Sequence, residues 1–236
     1  MFRFFVNENF DEKIKLNKED SHHYLNVARI KADEDVEIIA DNGYFIGRFL
    51  SEEDGFVYIK KIKEINSSNE SDVKLCLAFG ILKNNNTEEI LKYCTEIGVS
   101  EFLPLYTKRV VSNIKAKEKN KIERWQRIVE SAAKQSKRNV IPTIHKPVDI
   151  MDLEKYKDDK KIYLAYENED NNKFDGSCKD KNIMLVIGPE GGFERSEVDY
   201  IKSIGAEIIS LGDRILRAQT AAICSSFYII NLLEGR

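Results

Sequence analysis

The sequence predicts an α/β protein in two parts: a small β-barrel over residues 1–70, then a domain over residues 73–236 built on a mostly parallel sheet. Three observations carry this. The first seventy residues hold several short β-prone runs and little helix, which suits a small barrel. Asn66-Ser67-Ser68-Asn69-Glu70-Ser71 is polar and lacks apolar anchors, so it reads as a linker and sets the domain boundary. From Val73 onward apolar strands alternate with helical periodicity, the pattern of a mostly parallel sheet covered on both faces.

In the first part a short helix is expected over residues 18–29, with Asn17 or Ser21 near its start. DVEIIA at 35–40 and YFIGRFL at 44–50 flank Asp41-Asn42-Gly43, and Asn-Gly between β-prone runs signals a hairpin. GFVYIKKIKEI at 55–65 is a further strand. In the second part VKLCLAFGI at 73–81 reads as a buried strand. Asn86 and Glu89 have capping-box spacing, Ile90, Leu91, Cys94 and Ile97 form one helical face, and Gly98 supplies a stop. Residues 102–106 are a second strand. Ile122, Trp125, Val129, Ala132 and Ser136 then recur at helical spacing, leaving Arg124, Arg127, Lys134 and Arg138 off the apolar stripe. Strands follow at 161–166 and 183–187, a helix at 194–204 stopped by Gly205, a strand at 207–210 and a closing helix at 218–233.

Several classes of protein are disfavoured. The start, MFRFFVNE, is too short and too quickly acidic for a signal peptide. The apolar stretch 218–233 contains Gln219, Thr220, Ser225, Ser226 and Asn231 and falls short of the roughly twenty apolar residues that span a bilayer. A cytosolic chain with no membrane partner is expected. Cys76, Cys94, Cys178 and Cys224 make no CxxC unit and read as reduced thiols, with Cys76, Cys94 and Cys224 as small core hydrophobes. His22, His23 and His145 have no metal-ligand spacing, so no metal is expected.

The net charge of −3 conceals an uneven distribution. Residues 1–70 hold ten basic and fifteen acidic groups, whereas residues 108–138 hold eleven basic groups against Glu118, Glu123 and Glu130. Concentrated positive charge is the footprint of a polyanion partner, and equally that of a solvated helix face. Charge alone does not decide between them.

Parallel sheets bind ligands beyond the carboxyl ends of their strands, and two loops stand there. Ile187-Gly188-Pro189-Glu190-Gly191-Gly192-Phe193 follows an apolar strand, and its glycines permit close ligand approach. Leu211-Gly212-Asp213-Arg214-Ile215-Leu216-Arg217 links a strand to the last helix. Its Ile-Leu pair reads either as a ligand wall or as ordinary packing. No GxxxxGK[ST] and no GxGxxG after the first strand occurs, so neither common nucleotide fingerprint applies. A glycine-lined adenosyl pocket remains.

Taken together, IGPEGGF at 187–193, LGDRILRAQTA at 211–221, TEIGVSEFLPLYTKR at 95–109 and AAKQSKRNVIP at 132–142 resemble the RsmE family of SPOUT methyltransferases. MFRFFV at the start and HHYLNVARIKADEDVEI at 22–38 are also similar, so the resemblance runs along nearly the whole chain. It implies a PUA-like N-terminal barrel that binds RNA, and a C-terminal α/β domain with a deep trefoil knot. It further implies a homodimer and transfer of a methyl group from S-adenosylmethionine to N3 of a uridine in small-subunit ribosomal RNA. The knot loops would hold the cofactor through Ile187, Gly188, Pro189, Glu190, Gly191 and Gly192 on one side. Leu211, Gly212, Arg214, Ile215, Leu216 and Arg217 would hold it on the other, with Leu164, Ala165 and Tyr166 as a third contributor. Two positions depart from the family: Gln219 and Ser131 stand where glutamates are usual.

For such a transfer the protein mainly aligns donor and acceptor. A cation near the uracil carbonyls would stabilise the imide anion, with Arg217 as first candidate and Arg138 as second. Gln135, Gln219 and Thr220 would orient the base. RNA contacts are expected from Arg3, Arg29, Lys83, Arg109, Lys115, Lys117, Lys119, Lys121 and Arg138. Two other readings stay open: a ribose-2′-O methyltransferase of the same superfamily, and a non-catalytic RNA-binding dimer.

Overall fold

Short runs of alternating buried and exposed side chains make the first sheet. The computed structural model describes residues 1–66, 68–110, 114–166, 174, 176 and 180–235. Strands β1 (Arg3–Phe5), β2 (Lys13–Lys15), β3 (Asp35–Ala40), β4 (Gly43–Glu53) and β5 (Phe56–Glu64) form a sheet in the order β1-β3-β4-β5-β2. The β1–β3 pair is parallel and the others are antiparallel. Phe4, Ile14, Val36, Ile38, Phe45, Val57 and Ile59, drawn from all five strands, share one core with Tyr24. Both edge strands thus turn side chains into the same centre, as a curled, barrel-like sheet requires. Helix α1 (Lys18–His22) starts at Asn17, whose side chain accepts the Asp20 N–H, and continues as a π-helical turn over His23–Val27.

The hairpins differ from expectation. Ala40 pairs with Gly43, so the turn is Asp41-Asn42, one residue earlier than an Asn-Gly pivot. Asn42 is instead occupied in accepting the Phe10 N–H through its side chain at 2.9 Å. Asp54 and Gly55 both adopt positive φ (52° and 79°), the requirement of a two-residue primed turn between β4 and β5.

The second sheet contains β6 (Lys74–Gly80), β7 (Glu101–Tyr106), β8 (Thr143–Ile144), β10 (Lys161–Ala165), β11 (Asn182–Ile187) and β12 (Glu207–Ile209) in the order β12-β10-β11-β6-β7-β8. A further short strand, β9 (Val148–Asp149), also pairs with β7, and every pairing is parallel. Period-two side chains feed two cores. Leu75, Leu77 and Phe79 pack with α2 (Asn86–Ile97), α3 (Glu118–Gln135) and α5 (Ala218–Leu233) through Leu91, Trp125, Ala222 and Ile229. Cys76 and Ala78 face the opposite way, against Val198 and Ile201 of α4 (Arg195–Ser203) and Leu153 of a 3-10 turn at Ile150–Tyr156. Burial on both faces explains why the strands read as continuous apolar runs.

Three local expectations are corrected. Helix α2 has no Asn86–Glu89 capping box. Its N-cap is Asn85, without a side-chain bond, and the Thr87 hydroxyl accepts the Leu82 N–H instead. Cys76 and Cys94 are buried, and burial pushes both thiols up to about 12, but Cys224 is exposed; Cys178 lies outside the described residues. Arg138 is buried rather than displayed on a helix face.

The chain divides into one unit of Met1–Asn69 with Lys137–Asn139 and another of Glu70–Ser136 with Val140–Arg236. Within the first, the buried Arg3 guanidinium pairs with Glu37 at 2.8 Å and donates to the Arg138 carbonyl and the Asn139 side chain, both at 2.7 Å. Among the described residues, no helix is long and apolar enough to cross a membrane, and no cluster of three or more His, Cys, Asp or Glu could hold a metal.

Candidate active site

In the second unit, β10, β11 and β12 end side by side, and the chain leaving each one contributes a wall to a single cleft of about 550 Å³. Ala165 and Tyr166 follow β10. Ile187, Gly188, Pro189, Glu190 and Gly192 follow β11. Ser210, Leu211, Gly212, Asp213, Arg214, Ile215, Leu216 and Arg217 follow β12. The first turn of α5 adds Ala218, Gln219 and Ala221, and Asn86 closes the remaining side. The volume is that of a pocket for a nucleoside-sized ligand.

The glycine-rich loop is fixed from two directions. Toward β6, Pro189 packs on Gly80 so tightly that a Cβ there would sit 2.6 Å from the proline nitrogen. The Glu190 carboxylate accepts the Lys83 N–H at 2.9 Å. Gly192, at φ 68°, closes a turn by donating to the Pro189 carbonyl. Toward β7, the Arg109 guanidinium donates to the Gly191 carbonyl at 3.1 Å. Glu197 is fully buried in the first turn of α4. It accepts the Lys108 N–H through one oxygen and the Glu194 N–H through the other, both at 2.8 Å. The second bond belongs to a capping box between Glu194 and Glu197.

The 211–217 loop is exposed by contrast. Ile215 is 88% exposed while lining the cleft, an unusual degree of exposure for an aliphatic side chain. Arg217 is the N-cap of α5, exposed, with no capping bond from its side chain. Arg217 also lines the cleft.

Several residues chosen from the sequence lie elsewhere. Leu164 is buried in the core below the cleft, and Gly191 turns toward Arg109. Gln135 and Thr220 are exposed and line no part of the cleft, and Arg138 is buried in the first unit. Arg3 is a structural tie. Lys121 and Arg124 both pair with Glu88 (3.5 and 2.6 Å), and Lys108 pairs with Glu194 at 3.2 Å, so part of the positive window is neutralised within the protein. Lys83, Arg109, Lys115, Lys117 and Lys119 are exposed in the second unit, with the Lys115 ammonium 5.1 Å from the Tyr106 ring centre. Arg29 is exposed on the first unit at φ 50°. Gln219 lines the cleft and Ser131 is exposed on α3. Asn86, Ser210, Ala218 and Ala221 were missed, and Asp213 was included in the 211–217 loop but given no contact of its own. Ser210 and a contact for Asp213 could have been found by treating every residue of the 210–217 connection as a wall, but nothing local marks Asn86.

A glycine-lined cleft at the carboxyl ends of a parallel sheet, lined by an Arg217 that has no ion pair among the described residues, defines a small-molecule-dependent α/β enzyme site. Comparison with known proteins sharpens this. Residues 69–229 match the RNA methyltransferase domain family. The ribosomal RNA small subunit methyltransferase E of Mesomycoplasma hyopneumoniae is 35% identical over 224 residues, covering 94% of this chain and 96% of the relative. Its namesake from Synechocystis sp. is 31% identical, covering 94% and 74%. The crystal structure of the Neisseria gonorrhoeae protein of that name, bound to S-adenosyl methionine, superimposes with a TM-score of 0.90 at 25% identity over 98% of both chains. The chain belongs to the ribosomal RNA small subunit methyltransferase E family, and its second unit has the SPOUT-type α/β fold.

Proposed function

We propose that the protein methylates N3 of a uridine in 16S ribosomal RNA, with S-adenosylmethionine as donor. The observation that carries this reading is the convergence of the 187–192 and 210–217 connections around one cleft that includes Arg217. The residues fit the cofactor. Gly80 leaves room for Pro189, and a side chain at Gly188 would crowd Phe193 at 3.2 Å, so the loop stays thin enough for its backbone to meet a ligand. Bound there, the cofactor supplies an electrophilic methyl group on a sulfonium.

The chain's own residues do the rest. Backbone groups of Gly188, Gly192 and Gly212 and the apolar walls of Leu211, Ile215 and Leu216 hold the adenosyl portion and exclude water. Arg217 faces the uracil and stabilises the negative charge that its carbonyl oxygens gain as N3 loses its proton. Asp213 is a cleft carboxylate able to receive that proton, since one oxygen of Glu190 is already engaged by Lys83. S-adenosylmethionine held there would supply its methyl group to N3, and Asp213 would pass the released proton on to solvent. N3 lies on the pairing edge, so the target must be unpaired when it enters.

We also infer that the protein acts in the cytosol as a homodimer. Phe227 and Tyr228 of α5 are 56% and 52% exposed, which suits a covered face better than a solvated one. The decisive experiment supplies methyl-labelled cofactor and small subunits from cells lacking the modification. Label at uridine N3 supports the reading; label only on ribose oxygens gives the 2′-O alternative. Absence of label together with no thermal stabilisation by S-adenosylhomocysteine would leave a non-catalytic RNA binder.

A further inference from the structure

Two carboxamides line the cleft without bonding to the rest of the fold. Asn86 is the first residue of α2 and Gln219 the second of α5, and both are half-buried. Among the described residues, neither side chain has a hydrogen-bond partner. A half-buried amide in that state has given up part of its hydration and gained nothing in return. A few polar groups of this kind, set in a mostly apolar cleft, are what fix the orientation of a ligand.

The packing of α2 on α5 brings the two level. The Cys94 thiol lies 4.0 Å from the Ser226 hydroxyl. Four residues further along α2, a Cβ on Gly98 would lie 3.7 Å from Ile230, itself four residues beyond Ser226. Equal steps in the same direction mean that the helices run parallel and in step. Eight residues back along each leads from Cys94 to Asn86 and from Ser226 to Ala218, the neighbour of Gln219. Side chains lean toward the N-terminus of their own helix, so both carboxamides reach past the helix starts into the cleft. They arrive from two directions, Asn86 by way of β6 and Gln219 by way of β12, with β11 and β10 between those strands.

We propose that Asn86 and Gln219 clamp the target uracil, each donating from its amide to one of the two carbonyl oxygens, O2 and O4, that flank N3. The inference rests on the uridine-N3 reading above and adds to it the groups that hold the base. Donors on both carbonyl oxygens leave N3 between them unobstructed. They also share the negative charge those oxygens gain as N3 loses its proton. A carboxylate offers only acceptors and would oppose that charge, whereas a carboxamide carries two N–H donors. Arg217 brings the cation, and the two amides fix where the ring lies relative to the methyl donor.

The test uses the full chain with Asn86→Ala or Gln219→Ala, and small subunits reconstituted with uridine, 2-thiouridine or 4-thiouridine at the target. Sulfur accepts hydrogen bonds poorly, so each thio-substitution removes one acceptor. Each variant should lower kcat/KM on the uridine substrate about 10- to 100-fold, the range for a hydrogen bond to a group that gains charge. In the wild-type protein both thio-substitutions change the rate. The Asn86 variant loses the effect of one analogue and the Gln219 variant that of the other, because donor and acceptor count as a pair. Melting temperature and the affinity for S-adenosylhomocysteine stay at wild type. Should an alanine variant fail to fold, Asn86→Asp or Gln219→Glu removes the donor at nearly constant size and gives the same readings. Thio effects that persist in both variants overturn the proposal. So does a loss of S-adenosylhomocysteine affinity matching the loss of kcat/KM, which would assign the amides to the cofactor. If the wild-type protein puts no methyl group on uridine N3 in the unsubstituted subunit, the uridine reading itself fails, a result distinct from those two.

Discussion

Replacing Gly80 with alanine tests whether the glycine-rich loop is held where the cleft needs it. The added Cβ would lie 2.6 Å from both the nitrogen and Cδ of Pro189 and 2.9 Å from its Cβ. An ordinary carbon contact is about 3.5 Å, so Pro189 must retreat by roughly 1 Å. It cannot do so alone, because Glu190 is bonded to Lys83 and the Gly192 N–H to the Pro189 carbonyl. Overpacking of this kind costs about 1–3 kcal/mol, reduced by about 0.4–1 kcal/mol from the stiffer unfolded chain. For a chain of this size the melting temperature should fall by only a few degrees. Cofactor affinity should suffer more, since the displaced backbone is itself the wall of the cleft. Calorimetric titration with S-adenosylhomocysteine should show at least a tenfold weaker Kd. Wild-type affinity in a folded variant would mean that the 188–192 loop tolerates movement, and the account of the cleft given above would be wrong.

Arg217→Ala should lower kcat by about 10²-fold or more with cofactor affinity and melting temperature near wild type, because the exposed side chain makes no capping bond; unchanged kcat removes Arg217 from the chemistry. Glu197→Gln places an amide donor against one of the two N–H groups that the buried carboxylate accepts and should cost about 1–3 kcal/mol, read as a lower melting temperature. An unaltered transition would show that the Lys108 and Glu194 bonds contribute nothing. Acid should destabilise the protein through two carboxylates. The hydrogen bond from His145, with Lys160 nearby, holds Glu101 below its ordinary 4.5 against burial. Burial raises Glu37, but hydrogen bonds and charge from Arg3 and Lys137 outweigh it, so it too is lowered. Each folded-state value lies below the unfolded one, so this stability is fully present above about pH 4.5 and is lost as pH falls through the lowered values. Thermal melts between pH 6 and 3 should show that limb, and His145→Ala should flatten it; an identical limb in the variant would dismiss the Glu101 contribution.

Much of the architecture was legible because it follows from burial. Strands buried on both faces must be apolar throughout, and β6, β10 and β11 announced themselves that way. Glycines after α2 and α4 marked real helix ends, and the closing helix begins and ends where its apolar run does. Strands β1, β2, β8 and β9, of two or three residues, are too short to repeat a period-two pattern and were not read from the sequence. The cleft was half legible. Ala165, Pro189 and Ile215 line it because chain direction alone carries a loop past the end of its strand. Arg138 and Gln135 do not, since nothing in the spacing of AAKQSKRN tells which way the chain turns after α3. The capping box was read at Asn86, where the spacing was right, and missed at Glu194, where the residue type was unusual for an N-cap.

The return of Lys137–Asn139 to the first unit has a consequence for how the protein can be dissected. A module made of one uninterrupted stretch can be cut out, exchanged or deleted by a single break in the gene. This one cannot. A fragment ending at residue 69 would carry Arg3 without the Arg138 carbonyl and Asn139 side chain it donates to, and Glu37 without Lys137. Conversely, a chain beginning at residue 70 would keep those three residues with nothing of the first unit to receive them. A hybrid that draws residues 1–69 and 137–139 from different parents keeps these bonds only where both parents carry matching partners.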